Sequence, residues 1–189
     1  LTTAAELSEA LQLLNETIEE LHADGLEVPR PPVGAMVEVP SILYEIETIA
    51  RQVDFFSVGT NDLTQYLMAV DRNNPRVAKM YASMHPTVLR VLSKLIQEAH
   101  QAEKPVSICG EMAGNPAAAL VLLGLSVDSL SMNVASLPRI KWLVRSFTHR
   151  EAQALAAEAM SMSSADSVIQ LINEAIEVRG LGGLVRAGK

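Results

Sequence analysis

The sequence predicts an α/β fold built on a parallel sheet. Four short apolar runs, at residues 33–39, 54–59, 105–109 and 127–132, each lead into a segment with helical spacing, and strands alternating with helices make βα units. The second run is short, apolar and aromatic-rich, as a buried parallel strand is, and the runs end in a carboxylate, an amide or a thiol. Side chains of those kinds belong at the carboxyl ends of strands, where α/β proteins place their ligands.

Taken in order, Thr3-Ala4-Ala5-Glu6 reads as a capping box, and Leu7, Leu11, Leu14, Ile18 and Leu21 recur at helical spacing until Gly25. Pro29-Arg30-Pro31-Pro32 is a rigid entry to the first strand, which carries Glu38 at its end. Pro40-Ser41 starts a helix expected to reach Arg51. The second run, Phe55-Phe56-Ser57-Val58-Gly59, breaks into Thr60-Asn61-Asp62, expected to be a loop, before a helix over 63–70. Asp71-Arg72-Asn73-Asn74-Pro75 interrupts with turn formers. Pro86 opens a helix ending near Gln101, the third strand ends in Cys109-Gly110-Glu111, and Asn115-Pro116 caps an Ala/Leu helix that stops at Gly124. The fourth strand, 127–132, is weaker. Helices follow over 137–145, over 148–160 with a second capping box at Thr148 and Glu151, and over 164–178.

The domain reading is one barrel-type unit over 1–189, a piece of a longer chain that enters a helix at once from Leu1. It comprises a leading helix at 1–25, a βα core at 33–145, C-terminal helices at 148–179 and a flexible tail at 180–189. Four βα units in 189 residues fall short of the ~250 of a closed eight-stranded barrel. A C-terminal half of a (β/α)8 barrel with additional helices is expected, with a small doubly wound sheet as the alternative. Half a barrel leaves two strand edges and an inner apolar face uncovered, so the piece is expected to dimerise, rearrange or aggregate.

Composition excludes several classes. A hydrophobic content of 49% supports a real core, a net charge of −7 with scattered basic residues argues against nucleic acid, and no apolar run approaches the ~20 residues of a membrane helix. The single Cys109 permits no internal disulfide, which fits a cytoplasmic location, and leaves a packed or a reactive thiol. Glu38 and Asp62, at neighbouring strand ends, are either solvated carboxylates or a pair suited to Mg²⁺, which keeps waters and takes phosphate oxygens as further ligands. Arg72 is either a surface arginine or a bidentate oxyanion contact. Cys109 beside Gly110 is a small hydrophobe, a nucleophile, a metal ligand or a proton donor. His22, His85, His100 and His149 read as structural or exposed.

The run from Phe55 through Gly59-Thr60-Asn61-Asp62-Leu63-Thr64-Gln65-Tyr66 to Asp71-Arg72, together with Cys109-Gly110-Glu111-Met112-Ala113-Gly114, resembles the phosphoenolpyruvate-binding domain of enzyme I of the bacterial phosphotransferase system. The resemblance extends over about residues 33–145. It implies phosphoenolpyruvate and pyruvate as ligands, Mg²⁺ as cofactor held by Glu38 and Asp62, substrate contacts from Asn61, Asp62 and Arg72, and Cys109 as the acid that protonates enolpyruvate. It further implies a phosphoryl-accepting histidine in a separate domain, a histidine phosphocarrier protein as partner, and a homodimer. Asn115 and Asn133 depart from the usual Asp and Ser, and these changes are compatible with the nitrogen-related paralogue. Pyruvate phosphate dikinase and phosphoenolpyruvate synthase share the shorter elements, and a non-catalytic binding or dimerisation module is the rival reading. The 189 residues by themselves are expected to carry out no phosphotransfer.

Overall fold

The computed structural model describes residues 1–186, and of these the side chains of Lys79, Val185 and Arg186 are not described. Four parallel strands, β1 (Gly34–Val37), β2 (Phe55–Gly59), β3 (Val106–Cys109) and β4 (Ser129–Leu130), lie in the order of the chain. The register pairs Met36 with Ser57, Ser57 with Ser107, and Gly59 with Cys109. Alternation decides which face is covered. Ala35, Val37, Phe56, Val58, Val106 and Ile108 point to one side and are buried, whereas Met36, Ser57, Ser107 and Ser129 point to the other and are not. A doubly wound sheet reverses its strand order and carries helices on both faces. Sequential order with helices on a single face is the arrangement of half a barrel, as the sequence predicts.

The covering layer forms because each helix presents an apolar stripe. In α4 (Pro86–Gln101), Val88, Leu89, Leu92, Leu95, Ile96 and Ala99 are all buried, and Pro86 supplies the first-turn φ. Each large side chain buried this fully contributes about 1.5–3 kcal/mol. Helix α1 (Ala4–Ala23) is amphipathic and packs lightly against α2 (Ile46–Ala50), held there by Ala4 N–H donating to Glu45 Oε2 at 2.7 Å. Its end is a left-handed cap: Gly25 at φ +82° lets its own N–H reach His22 O and that of Leu26 reach Leu21 O.

Helix α6 (Pro116–Gly124) differs in kind. It has no polar face; Pro116 to Leu122 and Gly124 are all buried, and Asn115 Oδ1 caps it by accepting from Ala118 N–H at 3.1 Å. Helices α7 (Leu137–Ser146), α8 (His149–Ser161) and α9 (Ala165–Val178) enclose it, with Ala152, Ala156 and Ala159 on the buried side of α8. The two backbones approach closely. A Cβ on Gly124 would stand 2.1 Å from Ala152 O. No helix among the described residues is long and apolar enough to cross a membrane.

Several expectations need correction. Thr60, Asn61 and Asp62 are not a loop but the first turn of α3 (Thr60–Met68), because Gly59 can end the strand and serve as the N-terminal flank at once. The helix expected to run to Arg51 is a 3₁₀ segment, Pro40–Tyr44, followed by the separate α2. The fourth strand keeps two residues of the six expected, and Glu111–Gly114 forms an extra short helix, α5. At Thr3 the capping box is half made: Thr3 accepts from Glu6 N–H, but the Glu6 carboxylate turns to Thr2. The tail expected to be flexible over 180–189 instead buries Leu181 and forms α10 (Gly182–Arg186), while 187–189 lie outside the described residues. The uncovered face, expected to be apolar, is largely serine and glycine with Met36 and Phe55 as its large apolar members, Phe55 lying over Gly34.

Candidate functional site at the carboxyl ends of the strands

The site is organised around Gly59. This residue faces the open side of the sheet with β1 to its left and β3 to its right, and Cys109 is its register partner. A Cβ here would come within 2.9 Å of both Glu38 Cβ and Glu38 Oε2 and within 3.5 Å of Met36 Sδ. Glycine therefore lets the Glu38 side chain lie over the carboxyl end of β2, with the Cys109 residue on the side of β3. Thr60, Asn61 and Asp62 follow Gly59 directly as the uncapped first turn of α3, whose free N–H groups carry partial positive charge.

Two hydrogen bonds tie this turn to the next strand end. Thr60 Oγ1 donates to Cys109 O at 2.8 Å, and Glu111 N–H donates to Asn61 Oδ1 at 3.3 Å. Gly110 between them needs to be glycine twice over. Its φ is +96°, and a Cβ would lie 2.7 Å from Thr60 Oγ1 and 3.1 Å from Asn61 Oδ1. The Cys109 thiol is half-buried; Sγ donates to Val58 O at 3.2 Å and accepts from Ser57 Oγ at 3.8 Å.

Arg72 reaches the same place from the loop after α3. Its backbone N–H donates to Gln65 Oε1 at 3.1 Å, and its guanidinium pairs with Glu111 at 3.5 Å. Thus the structure brings Glu38, Asn61, Asp62, Arg72 and Cys109 to one end of the sheet. The four histidines lie elsewhere in structural contacts: His22 with Val28 O, His85 as the cap of α4, His100 with Asp128, and His149 with Ser126.

Three further residues belong to the site that sequence reasoning did not assign. Glu111 stands in the quoted motif but was given no role. Ser57 is a polar residue in an otherwise apolar strand, a signal that was readable. Tyr81 gave no signal; it is half-buried, and its hydroxyl donates to Asn61 O at 3.4 Å. Burial pushes its phenol above the usual range and the Glu111 and Asp62 charges add to this, against the Thr64 hydroxyl and Arg72, so it remains a neutral donor. A cavity of about 480 Å³ continues from Gly110 and Glu111 toward Asn133, Arg139 and Asn173. The larger hollow, about 760 Å³ between α2 and α4, is lined by Tyr44, Lys94 and Glu98 and lies apart from all these groups.

Glu38, Asp62 and Glu111 place three carboxylates at this end of the sheet, with the Arg72 guanidinium paired to Glu111 and Arg139 lining the cavity beyond it. No group of three His, Cys, Asp or Glu side chains converges as a metal site among the described residues. What exists is the Glu38 carboxylate over Gly59 and the Asp62 carboxylate in the first turn of α3, oxygen donors of the kind suited to a hard cation that completes its shell with water and substrate.

Comparison with known proteins finds relatives over nearly the whole chain. The chain is 43% identical over 188 residues, 99% of its length, to a Salmonella typhimurium protein named phosphoenolpyruvate-dependent phosphotransferase system, and covers 25% of that protein. It is 42% identical over 171 residues to the phosphoenolpyruvate-protein phosphotransferase of Haemophilus influenzae, covering 88% of this chain and 30% of that one. The chain thus spans between a quarter and a third of the length of these curated relatives. Among solved structures, a citrate lyase from Burkholderia xenovorans superposes with a TM-score of 0.54 at 15% identity, over 95% of this chain and 62% of that one, a likeness of fold alone. Residues 1–149 match the family described as PEP-utilising enzyme, PEP-binding domain, and the chain belongs to that family.

Proposed function

We propose that this chain is the phosphoenolpyruvate-binding portion of a phosphoenolpyruvate-protein phosphotransferase. In this reading the phosphoryl group passes to a histidine in another domain and then to a histidine phosphocarrier protein, in a cytoplasmic, homodimeric enzyme. The observation that carries it is that the Glu38 carboxylate lies over Gly59 at the carboxyl end of β2, with Cys109 as the register partner of Gly59 and Asn61 and Asp62 on the helix turn that follows.

The charge balance explains why a cation belongs to the reaction. Phosphoenolpyruvate is a polyanion, and the carboxylates of Glu38, Asp62 and Glu111 repel it. Glu38 and Asp62 would hold Mg²⁺, which supplies the positive charge that neutralises the phosphate and carboxylate of the substrate. Asn61 and Asp62 orient the substrate from the first turn of α3, and Arg72 exchanges its long contact with Glu111 for a phosphate oxygen. Once the phosphoryl group has left, the enolate carbon must gain a proton. Cys109 Sγ–H is the donor: its S–H bond breaks, the proton forms the new C–H bond of pyruvate, and the thiolate regains a proton from solvent before the next turnover. The residues of this chain thus bind, orient and protonate, and the acceptor histidine lies outside them.

The test is titration of phosphoenolpyruvate into the intact phosphotransferase containing this chain, with and without Mg²⁺. Binding that requires Mg²⁺ and is lost in the Glu38→Ala, Asp62→Ala double variant is expected. Equal binding with the metal withheld overturns the reading.

A further inference from the structure

Ser57 interrupts the apolar run of β2, and its side chain lies on the open face one residue pair below Cys109, where β2 and β3 are in register through Ser57 with Ser107 and Gly59 with Cys109. Cys109 is therefore its diagonal neighbour across the strand pair. The hydroxyl uses that position to donate to Sγ at 3.8 Å, while the thiol hydrogen is directed at Val58 O, 3.2 Å away. A thiol packed as a small hydrophobe has no use for a hydroxyl beneath it, and an alanine or valine would fill the strand position without a polar group to satisfy.

We infer that Ser57 is a positioning residue for the proton transfer at Cys109, holding the sulfur at this end of the sheet and donating to it as its negative charge develops. The inference rests on the proposed role of Cys109 as proton donor. Two contacts now hold the cysteine in place: Thr60 Oγ1 fixes the backbone carbonyl, and Ser57 Oγ fixes the sulfur from below. When substrate binds at this end of the sheet, rotation about the Cys109 side chain turns the S–H bond from Val58 O toward the enolate carbon. After the proton has moved, the sulfur carries the charge that the carbon has lost, and the hydrogen bond from Ser57 becomes charge-assisted, which strengthens it at the moment of transfer. No oxidant or further reactant enters; one S–H bond is exchanged for one C–H bond.

The experiment uses the intact phosphotransferase containing this chain, with the variants Ser57→Ala, Ser57→Thr and Cys109→Ser. Ser57→Ala is expected to lower kcat for pyruvate formation about tenfold with KM for phosphoenolpyruvate changed less than about twofold, and to slow alkylation of Cys109 by iodoacetamide, followed by peptide mass spectrometry. Ser57→Thr, which keeps the hydroxyl, is expected to restore both. If Cys109→Ser abolishes turnover while Ser57→Ala leaves kcat and alkylation unchanged, the role of Ser57 is overturned and that of Cys109 stands. An equal loss of turnover and of Mg²⁺-dependent binding in Ser57→Ala overturns it as well, since that marks a packing role in the sheet. Full turnover in Cys109→Ser removes the proton donor itself, and the inference falls with it.

Discussion

The Glu38 carboxylate occupies the space that a side chain on Gly59 would take, with Oε2 2.9 Å from the position of that missing Cβ. The backbone of Gly59, at φ −80°, is one that any residue adopts, so the constraint is steric and not conformational. Gly59→Ala is expected to push Glu38 away from the carboxyl end of β2, weakening Mg²⁺-dependent phosphoenolpyruvate binding at least tenfold while costing about 1–3 kcal/mol of stability. Calorimetric titration and chemical denaturation of the intact enzyme check the two parts separately.

Glu38→Ala and Asp62→Ala each remove one of two carboxylates at neighbouring strand ends without touching the core, since both side chains are only half-buried. Each is expected to weaken Mg²⁺-dependent binding by roughly ten- to a hundredfold, from charge-assisted contacts of about 1.5–3 kcal/mol, with thermal stability nearly unchanged. A variant that binds normally takes its residue out of the set.

Cys109→Ser keeps the shape of the side chain but replaces a thiol with a far weaker acid. Pyruvate formation in the intact enzyme is expected to fall by about 10²-fold or more, with substrate affinity retained. Parallel loss of affinity and turnover in steady-state kinetics would assign the residue to the framework instead.

Asp128 offers a stability prediction away from the site. Burial pushes its carboxyl up, but Val106 N–H at 2.7 Å and His100 Nε2 at 2.8 Å together outweigh this and hold it below its ordinary value of 3.8. A group whose folded value is depressed contributes fully above its unfolded value and loses that contribution as pH falls through the folded one. Asp128→Asn is therefore expected to destabilise by about 1 kcal/mol at neutral pH, a modest figure because the side chain is 44% exposed. The difference from the parent should begin to shrink as pH falls below about 4 and disappear only below the depressed folded value, a narrowing that urea denaturation across pH 3–7 will show.

The 189 residues expressed alone are expected to retain no label from phosphoenolpyruvate bearing a radioactive phosphoryl group. None of His22, His85, His100 and His149 belongs to the cluster around Gly59. Stable incorporation, read on a denaturing gel, would return one of these histidines to the chemistry.

Much of this was legible in the sequence because strand ends and apolar runs are local signals. Glu38, Asn61, Asp62 and Cys109 could be placed at strand ends from pattern alone, and the order of the strands followed from the βα alternation. What escaped depends on contacts distant in sequence. Tyr81 meets Asn61 from 20 positions further along the chain, and nothing local in its own surroundings announces that contact. The immediate start of α3 was missed because Gly-Thr-Asn-Asp satisfies a turn as well as a helix start, and the tertiary bonds from Thr60 and Asn61 to the β3 end favour the helix. The serine-rich open face was printed in the strands all along, at Ser57, Ser107 and Ser129, and becomes visible once register assigns all three to one side.

Helix α6 has consequences for where this protein can be cut. The similarity that defines the family ends at residue 149, at the first residue of α8, yet α8 and α9 supply the surroundings of a helix that has no water-tolerant side. A chain ended at that boundary would keep α5 and α7 against α6 but strip the side that α8 and α9 cover, and Gly124, which admits the Ala152 carbonyl, would face a void. The boundary of the family match and the boundary of the helical layer packed around α6 fall at different residues, and a cut that respects only the first removes part of that layer.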